Sequence, residues 1–190
     1  MFYSYKINDA IRFSIKTHEV YQKQKRKGKD IPYIIHPLTV GLILSRTGAD
    51  ENTIVAGILH DTIEDSVPEK KVSQEMLEKR FGKEVAVLVQ SVSETDKSLP
   101  WEDRKREALE HIKVFSHNAL LVKSADVISN ASEIIEDYKR KKDAIFSRFN
   151  APKEKILQHY LRIITAIMER WSDNPLTEDL QNIAREIQWL

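Results

Sequence analysis

Apolar residues recur at helical spacing along this chain, with charges between them and polar joints separating the periodic stretches. The first stretch, residues 7–24, carries Ile11, Phe13, Ile15, Val20 and Tyr21 and predicts one helix. A second helix is expected to open at Pro37, a residue suited to a first turn, and to carry Leu38, Val40, Leu42, Ile43 and Leu44. Asp50 is a good N-cap for a third over 51–65, with Ile54, Val55, Ile58, Leu59 and Ile63 as its apolar stripe. A short helix over 73–80 should stop near Phe81-Gly82, and another should follow over 83–92. Residues 97–100, beginning with Lys97, read as a polar connection. Pro100 opens a charged helix to about residue 115, and Asn118 is placed to cap the next, which holds Leu120, Leu121, Val122, Ala125, Val127, Ile128 and Ile134. Asn150 and Pro152 begin a long helix through Trp171. Thr177 caps a last one, with Glu178 and Asp179 at the positive end of its dipole. No strand alternation, hairpin signal or internal repeat interrupts this pattern, so the fold class is all-α, in a single domain.

Composition narrows the function classes. Lys and Arg number 30 and Asp and Glu 29, so net charge drives the chain toward neither nucleic acid nor a membrane surface. The absence of cysteine excludes disulfides, thiolate metal sites and a cysteine nucleophile, and fits a reducing, cytoplasmic setting. No apolar run approaches the roughly 20 residues that cross a bilayer. The first residues also lack the unbroken apolar core of a signal peptide.

Three polar points interrupt apolar segments: His36 in PYIIHPLTV, His60-Asp61 in AGILHDTIED, and Asp126 in LVKSADVISNASEI. Each has an ordinary explanation alone. A histidine before proline is commonly a cap or core residue, a helical aspartate a solvated one, and an acidic run a surface face. Together, two imidazoles and two carboxylates suit a divalent Mn, Fe, Co, Ni or Zn ion rather than Ca, which takes oxygen ligands alone. On a continuous helix Glu64 would lie one turn beyond His60 and Asp65 one turn beyond Asp61, so all four would share a broad face. That face is costly to bury unless a cation or substrate neutralises it. Asn130 follows Asp126 by one turn.

In chain order, Arg26-Lys27, Pro32-Tyr33-Ile34-Ile35-His36-Pro37, His60-Asp61-Thr62-Ile63-Glu64-Asp65 and Ala125-Asp126-Val127-Ile128-Ser129-Asn130 resemble the motifs of the HD-superfamily metal-dependent phosphohydrolases. The resemblance is to the RelA/SpoT-type alarmone hydrolase domain and its small stand-alone relatives, and it covers about residues 5–140. It implies an HD-type helical bundle with a mononuclear site in which His36, His60, Asp61 and Asp126 hold one divalent ion, typically Mn(II). Glu64 and Asp65 would be the catalytic acidic pair, with Arg26, Lys27 and Asn130 beside a nucleotide substrate. It further implies hydrolysis of the 3′-pyrophosphate of guanosine tetra- or pentaphosphate, with no synthetase activity.

A phosphoryl transition state demands charge compensation, which makes Lys25, Arg104, Lys105 and Lys123 further candidates to ring the site. His18, His111, His117 and His159 are too loosely spaced for a second metal site, and His18 reads as structural. No Gly-rich phosphate loop is present. Two other functions stay open: an HD-type hydrolase of another nucleotide or phosphoester, and a non-catalytic nucleotide-binding or interaction module. The phosphohydrolase core is expected over 1–149. In 150–190, Ile156, Leu157, Tyr160, Leu161, Ile163, Ile164 and Ile167 form a wide apolar face that either completes the same domain or forms an interface, as in a homo-oligomer.

Overall fold

The computed structural model describes residues 4–94 and 98–190, so Lys97 of the expected connection lies outside the described residues. The chain is all-α, as its periodicity predicts, and forms two compact units, Met1–Thr95 and Asp96–Leu190.

The first unit opens with α1 (Tyr5–Ile15), capped by the Ser4 hydroxyl, which accepts from the Ile7 amide. The single helix expected over 7–24 does not form. At Lys16 the backbone widens into a π-helical turn, Lys16–Tyr21, closed by Gln22 N–H donating to the Thr17 carbonyl at 3.3 Å. A π turn takes one more residue per hydrogen bond, which rotates the following side chains off the α-helical register. Thr17 and His18 therefore turn inward, while Val20, expected on the apolar stripe, is 59 % exposed.

α2 (Ile35–Arg46) begins two residues ahead of Pro37, which sits in its first turn. α3 (Glu51–Leu59) starts where Asp50 caps it, the carboxylate accepting from Thr53 N–H at 2.8 Å. The continuous helix expected over 51–65 breaks at His60-Asp61, and a separate turn, α4 (Thr62–Asp65), follows. Side chains explain the break. His60 Nδ1 donates to the Gly57 carbonyl and Thr62 Oγ1 to the Leu59 carbonyl, each at 2.7 Å. Those carbonyls would serve the amides of Asp61 and Ile63 in a continued helix. α5 (Gln74–Phe81), capped by Ser73, ends at Gly82, whose φ of 92° favours glycine. α6 (Lys83–Val92) follows as expected.

α3 is the hub of this unit and packs against α1, α2 and α6. Its approach to α2 depends on Gly57. A Cβ there would lie 2.2 Å from Leu44 Cδ1 and 3.2 Å from Val40 Cγ1. His36, Val40 and Leu44 recur every fourth residue, and all three are buried. The face of α2 that meets Gly57 is thus the face that carries His36. Elsewhere, Arg80 clamps Asp9 through two hydrogen bonds of 2.8 and 2.6 Å while its guanidinium lies over Phe13 and Phe81.

The second unit holds α7 (Trp101–Ile112), α8 (His117–Lys141), α9 (Lys153–Arg170) and α10 (Thr177–Gln188). The cap of α8 is Ser116, accepting from Ala119 N–H, rather than Asn118. α9 packs on α7, α8 and α10, and α10 also packs on α8. Ile163, Ile164 and Ile167 are buried, as are Leu180 and Ile187. Buried Asn174 ties this end together, donating to Ser124 Oγ at 2.8 Å and accepting from Leu176 N–H at 2.9 Å.

Gly57→Ala should destabilise the protein by about 1–3 kcal/mol, because Leu44 is fully buried and must leave its rotamer. An unchanged urea midpoint would overturn the close-approach argument. The Arg80 hydrogen bonds hold the Asp9 carboxyl below its ordinary value. Its contribution is therefore complete above pH ~4, the unfolded value, and is lost as pH falls through the lowered folded value. Both side chains are partly exposed, so the effect is at most ~1 kcal/mol. The difference in melting temperature between the parent and Asp9→Asn should shrink as pH falls below that point.

Candidate metal centre

Two histidines and an aspartate converge where α2 meets the end of α3. His36 and His60 are 2 % and 5 % exposed, and each offers a ring nitrogen suited to a metal ion. Their Nε2 atoms lie 3.2 Å apart. Asp61 Oδ2 lies 3.0 Å from His60 Nε2 and 3.6 Å from His36 Nε2. Because the Gly57 carbonyl can only accept, His60 carries its proton on Nδ1 and turns the Nε2 lone pair into the cluster. Ligands about 2.0–2.2 Å from one ion stand about 3.0–3.6 Å apart in octahedral or tetrahedral arrangements. The three atoms match that spacing. They form a His2Asp cluster that suits one divalent metal ion, and its donor set does not single out manganese.

A ladder of rings leads into the cluster. His18 meets Tyr33 at a tilt with ring centres 5.1 Å apart, Tyr33 meets His36 at 5.7 Å, and His36 meets His60 at 5.1 Å. The Tyr33 hydroxyl donates to Asp61 Oδ2. Burial, reinforced by the carboxylates of Asp61 and Asp65, pushes the Tyr33 phenol well above its ordinary value, so it remains a donor. The π turn places His18 at 0 % exposure, and burial lowers its pKa. His18 Nδ1 lies 2.8 Å from Gln24 Oε1, and Gln24 Nε2 donates to Asp65 Oδ2, also at 2.8 Å. With the Gln24 amide oriented that way, His18 Nδ1 is the donor. Gln24 and Tyr33 are joined in turn by Tyr33 N–H donating to the Gln24 carbonyl at 2.9 Å.

The acidic pair sits on α4. Glu64 Oε2 accepts from Glu94 N–H at 2.8 Å, and Asp65 is held by Gln24 as above. Arg26 lies over the Tyr33 ring at 5.4 Å, while Lys27 is exposed. In the second unit, α8 carries Asp126 with its side chain 13 % exposed. Lys123 Nζ donates to one of its oxygens at 2.8 Å, and Asn130 Nδ2 donates to the other at 2.6 Å. Arg104 and Lys105 are half-buried on α7.

The structure thus brings His36, His60 and Asp61 together within the first unit and groups Asp126 with Asn130 and Lys123 within the second. Gln24 was not singled out from sequence, His18 was read as structural, and Tyr33 entered only as a motif letter. A π turn has no periodic signature, so nothing in the residue pattern aligns Gln24 with Asp65.

A family model described as HD domain matches residues 10–157. The guanosine-3′,5′-bis(diphosphate) 3′-pyrophosphohydrolase MESH1 of Danio rerio is 39 % identical over 128 residues, which cover 66 % of this chain and 67 % of that protein. The Xenopus tropicalis protein of the same name is 38 % identical over 130 residues, covering 67 % and 69 %. Among solved structures, one described as a metazoan ortholog of SpoT that hydrolyzes ppGpp aligns with TM-score 0.78 and 26 % identity, over 100 % of this chain and 99 % of that one.

Loss of either imidazole should empty the centre. His36→Ala and His60→Ala are each expected to bind substoichiometric divalent metal by elemental analysis. Tyr33→Phe, which removes the bond to Asp61, should bind it about 10–100-fold more weakly. Parent-like metal content and affinity in all three variants would show that the ion binds elsewhere.

Proposed function

Since the chain belongs to the HD-domain family of metal-dependent phosphohydrolases, we propose that it removes the 3′-pyrophosphate of guanosine tetra- or pentaphosphate, using one Mn(II) ion. The observation that carries this reading is the pair Glu64 and Asp65, each held by a hydrogen bond on the turn that follows His60-Asp61. Supporting it are the named relatives, which are 3′-pyrophosphohydrolases of guanosine-3′,5′-bis(diphosphate). Asp126 is assigned as the fourth ligand beside His36, His60 and Asp61. Lys123 and Asn130 fix its carboxylate from both sides, which favours a positioned rather than a solvated group. When bound, the ion supplies charge compensation to the phosphoryl oxygens and acidifies water.

The chain's own groups do the rest. Glu64 accepts a proton from the attacking water as its oxygen bonds to the 3′ phosphorus. The bond between that phosphorus and the ribose oxygen breaks, pyrophosphate departs, and the ribose oxygen takes up a proton. Gln24 keeps the Asp65 carboxylate oriented beside this exchange. Arg26, Lys27, Arg104 and Lys105 are assigned to the substrate phosphates, and Asn130 to substrate and Asp126 together. No helix among the described residues is long and apolar enough to cross a membrane. A small nucleotide substrate and a cytoplasmic place of action accord with this reading.

The protein loaded with Mn(II) and given guanosine tetraphosphate should release GDP and intact pyrophosphate on anion-exchange chromatography. Orthophosphate as the sole inorganic product, or no turnover, would refute the assignment. Glu64→Gln should keep its metal and lose about 10²-fold or more in kcat, whereas His60→Ala should lose both. Full activity in Glu64→Gln would remove Glu64 from its assigned role.

A further inference from the structure

A second concave site lies in the first unit, and none of its lining residues belongs to the metal centre. It is a cavity of about 350 Å³ between the π turn and the short 3-10 turn Pro68–Lys70. Phe13, Thr17 and Val72 form a buried floor. Four cations stand around it: Lys16, Lys70, Lys71 and Arg80. The one carboxylate in the lining, Glu69, is exposed.

Two of the cations are already committed. Lys71 Nζ donates to the Ile63 carbonyl at 2.7 Å, and Arg80 is clamped to Asp9. Lys16 and Lys70 are not. Their ammonium groups lie 5.5 and 5.8 Å from the centroid of one ring, that of Tyr21, and neither forms an ion pair with a described residue. The ring quadrupole attracts each cation weakly and leaves its charge uncompensated. Both side chains line the cavity whose floor includes Phe13 and Val72. A multiply charged anion held in the cavity would pair with these charges, and the floor accepts an uncharged ring.

We propose that this pocket binds a small-molecule diphosphate, with the charged oxygens toward the Lys16 and Lys70 ammonium groups and any attached organic part against Phe13 and Val72. Free pyrophosphate and a nucleoside diphosphate share that chemistry. The size of the cavity falls in the range of small-molecule sites. The assignment does not depend on which reaction the metal centre catalyses.

The test is a backbone amide NMR titration of the full chain loaded with diamagnetic Zn(II), with inorganic pyrophosphate and GDP as separate probes. Saturable shifts are expected at Thr17, Tyr21 and Lys70. They should weaken at least about tenfold in Lys16→Ser/Lys70→Ser and also weaken at raised salt. Both substituted side chains are exposed, so the variant's remaining spectrum should match the parent's. Equal affinity for the two probes assigns the site to the free anion, and tighter GDP binding assigns it to a nucleotide. Absence of saturation with both probes, or parent-like binding by the double variant, overturns the proposal. Because the readout is residue-specific, it stands even if guanosine tetraphosphate proves not to be hydrolysed.

Discussion

Everything in the first unit depends on how closely α2 can approach α3. Gly57 sets that distance, because any Cβ at this position would collide with Leu44 and press on Val40. The same residue's carbonyl accepts the Nδ1 proton of His60 and so selects which nitrogen faces inward. One glycine therefore governs both the separation of the two imidazoles and the protonation pattern of one of them. Brought to 3.2 Å, with a carboxylate oxygen 3.0 Å from one nitrogen, these atoms make an arrangement that suits a divalent cation. Packing and electrostatics are one problem here, and metal affinity is the form its solution takes.

The surrounding polar groups read as supports for that charge pattern. Tyr33 donates to Asp61, Gln24 to Asp65, and the Glu94 amide to Glu64. In each case the donor is neutral, so the carboxylate is oriented without its charge being cancelled, and it keeps its capacity to act on a cation or a proton. Asp126 differs. Lys123 pairs with it directly, a stronger restraint that also reduces its net charge.

Much of this was legible in the sequence, for reasons that differ by element. A helix whose cap lies in plain view, as with Asp50 before α3, starts where the pattern places it, because capping is a local contest decided by a few residues. The motif positions of the His2Asp cluster were equally visible. Two of the failures are departures from 3.6-residue periodicity. The π turn at Lys16 and the break at His60-Asp61 arise where side chains or tertiary packing outcompete the backbone ladder, and hydrophobic spacing carries no record of that competition. Gln24 was missed because it reaches Asp65 only after the π turn has shifted the register that leads to it.

The bend between Gln24 and Tyr33 is pinned at its base. Tyr33 N–H bonds to the Gln24 carbonyl, and Arg26 N–H bonds to the Ile31 carbonyl one step further out. The ends of the bend carry the two residues that brace Asp61 and Asp65, while its tip lies around Gly28. Anchorage and exploration are thereby separated along a few residues of chain. Insertions or exchanges at the tip can reshape what meets an incoming ligand while the braces stay in register, so selectivity can drift over evolutionary time without the chemistry having to be reinvented.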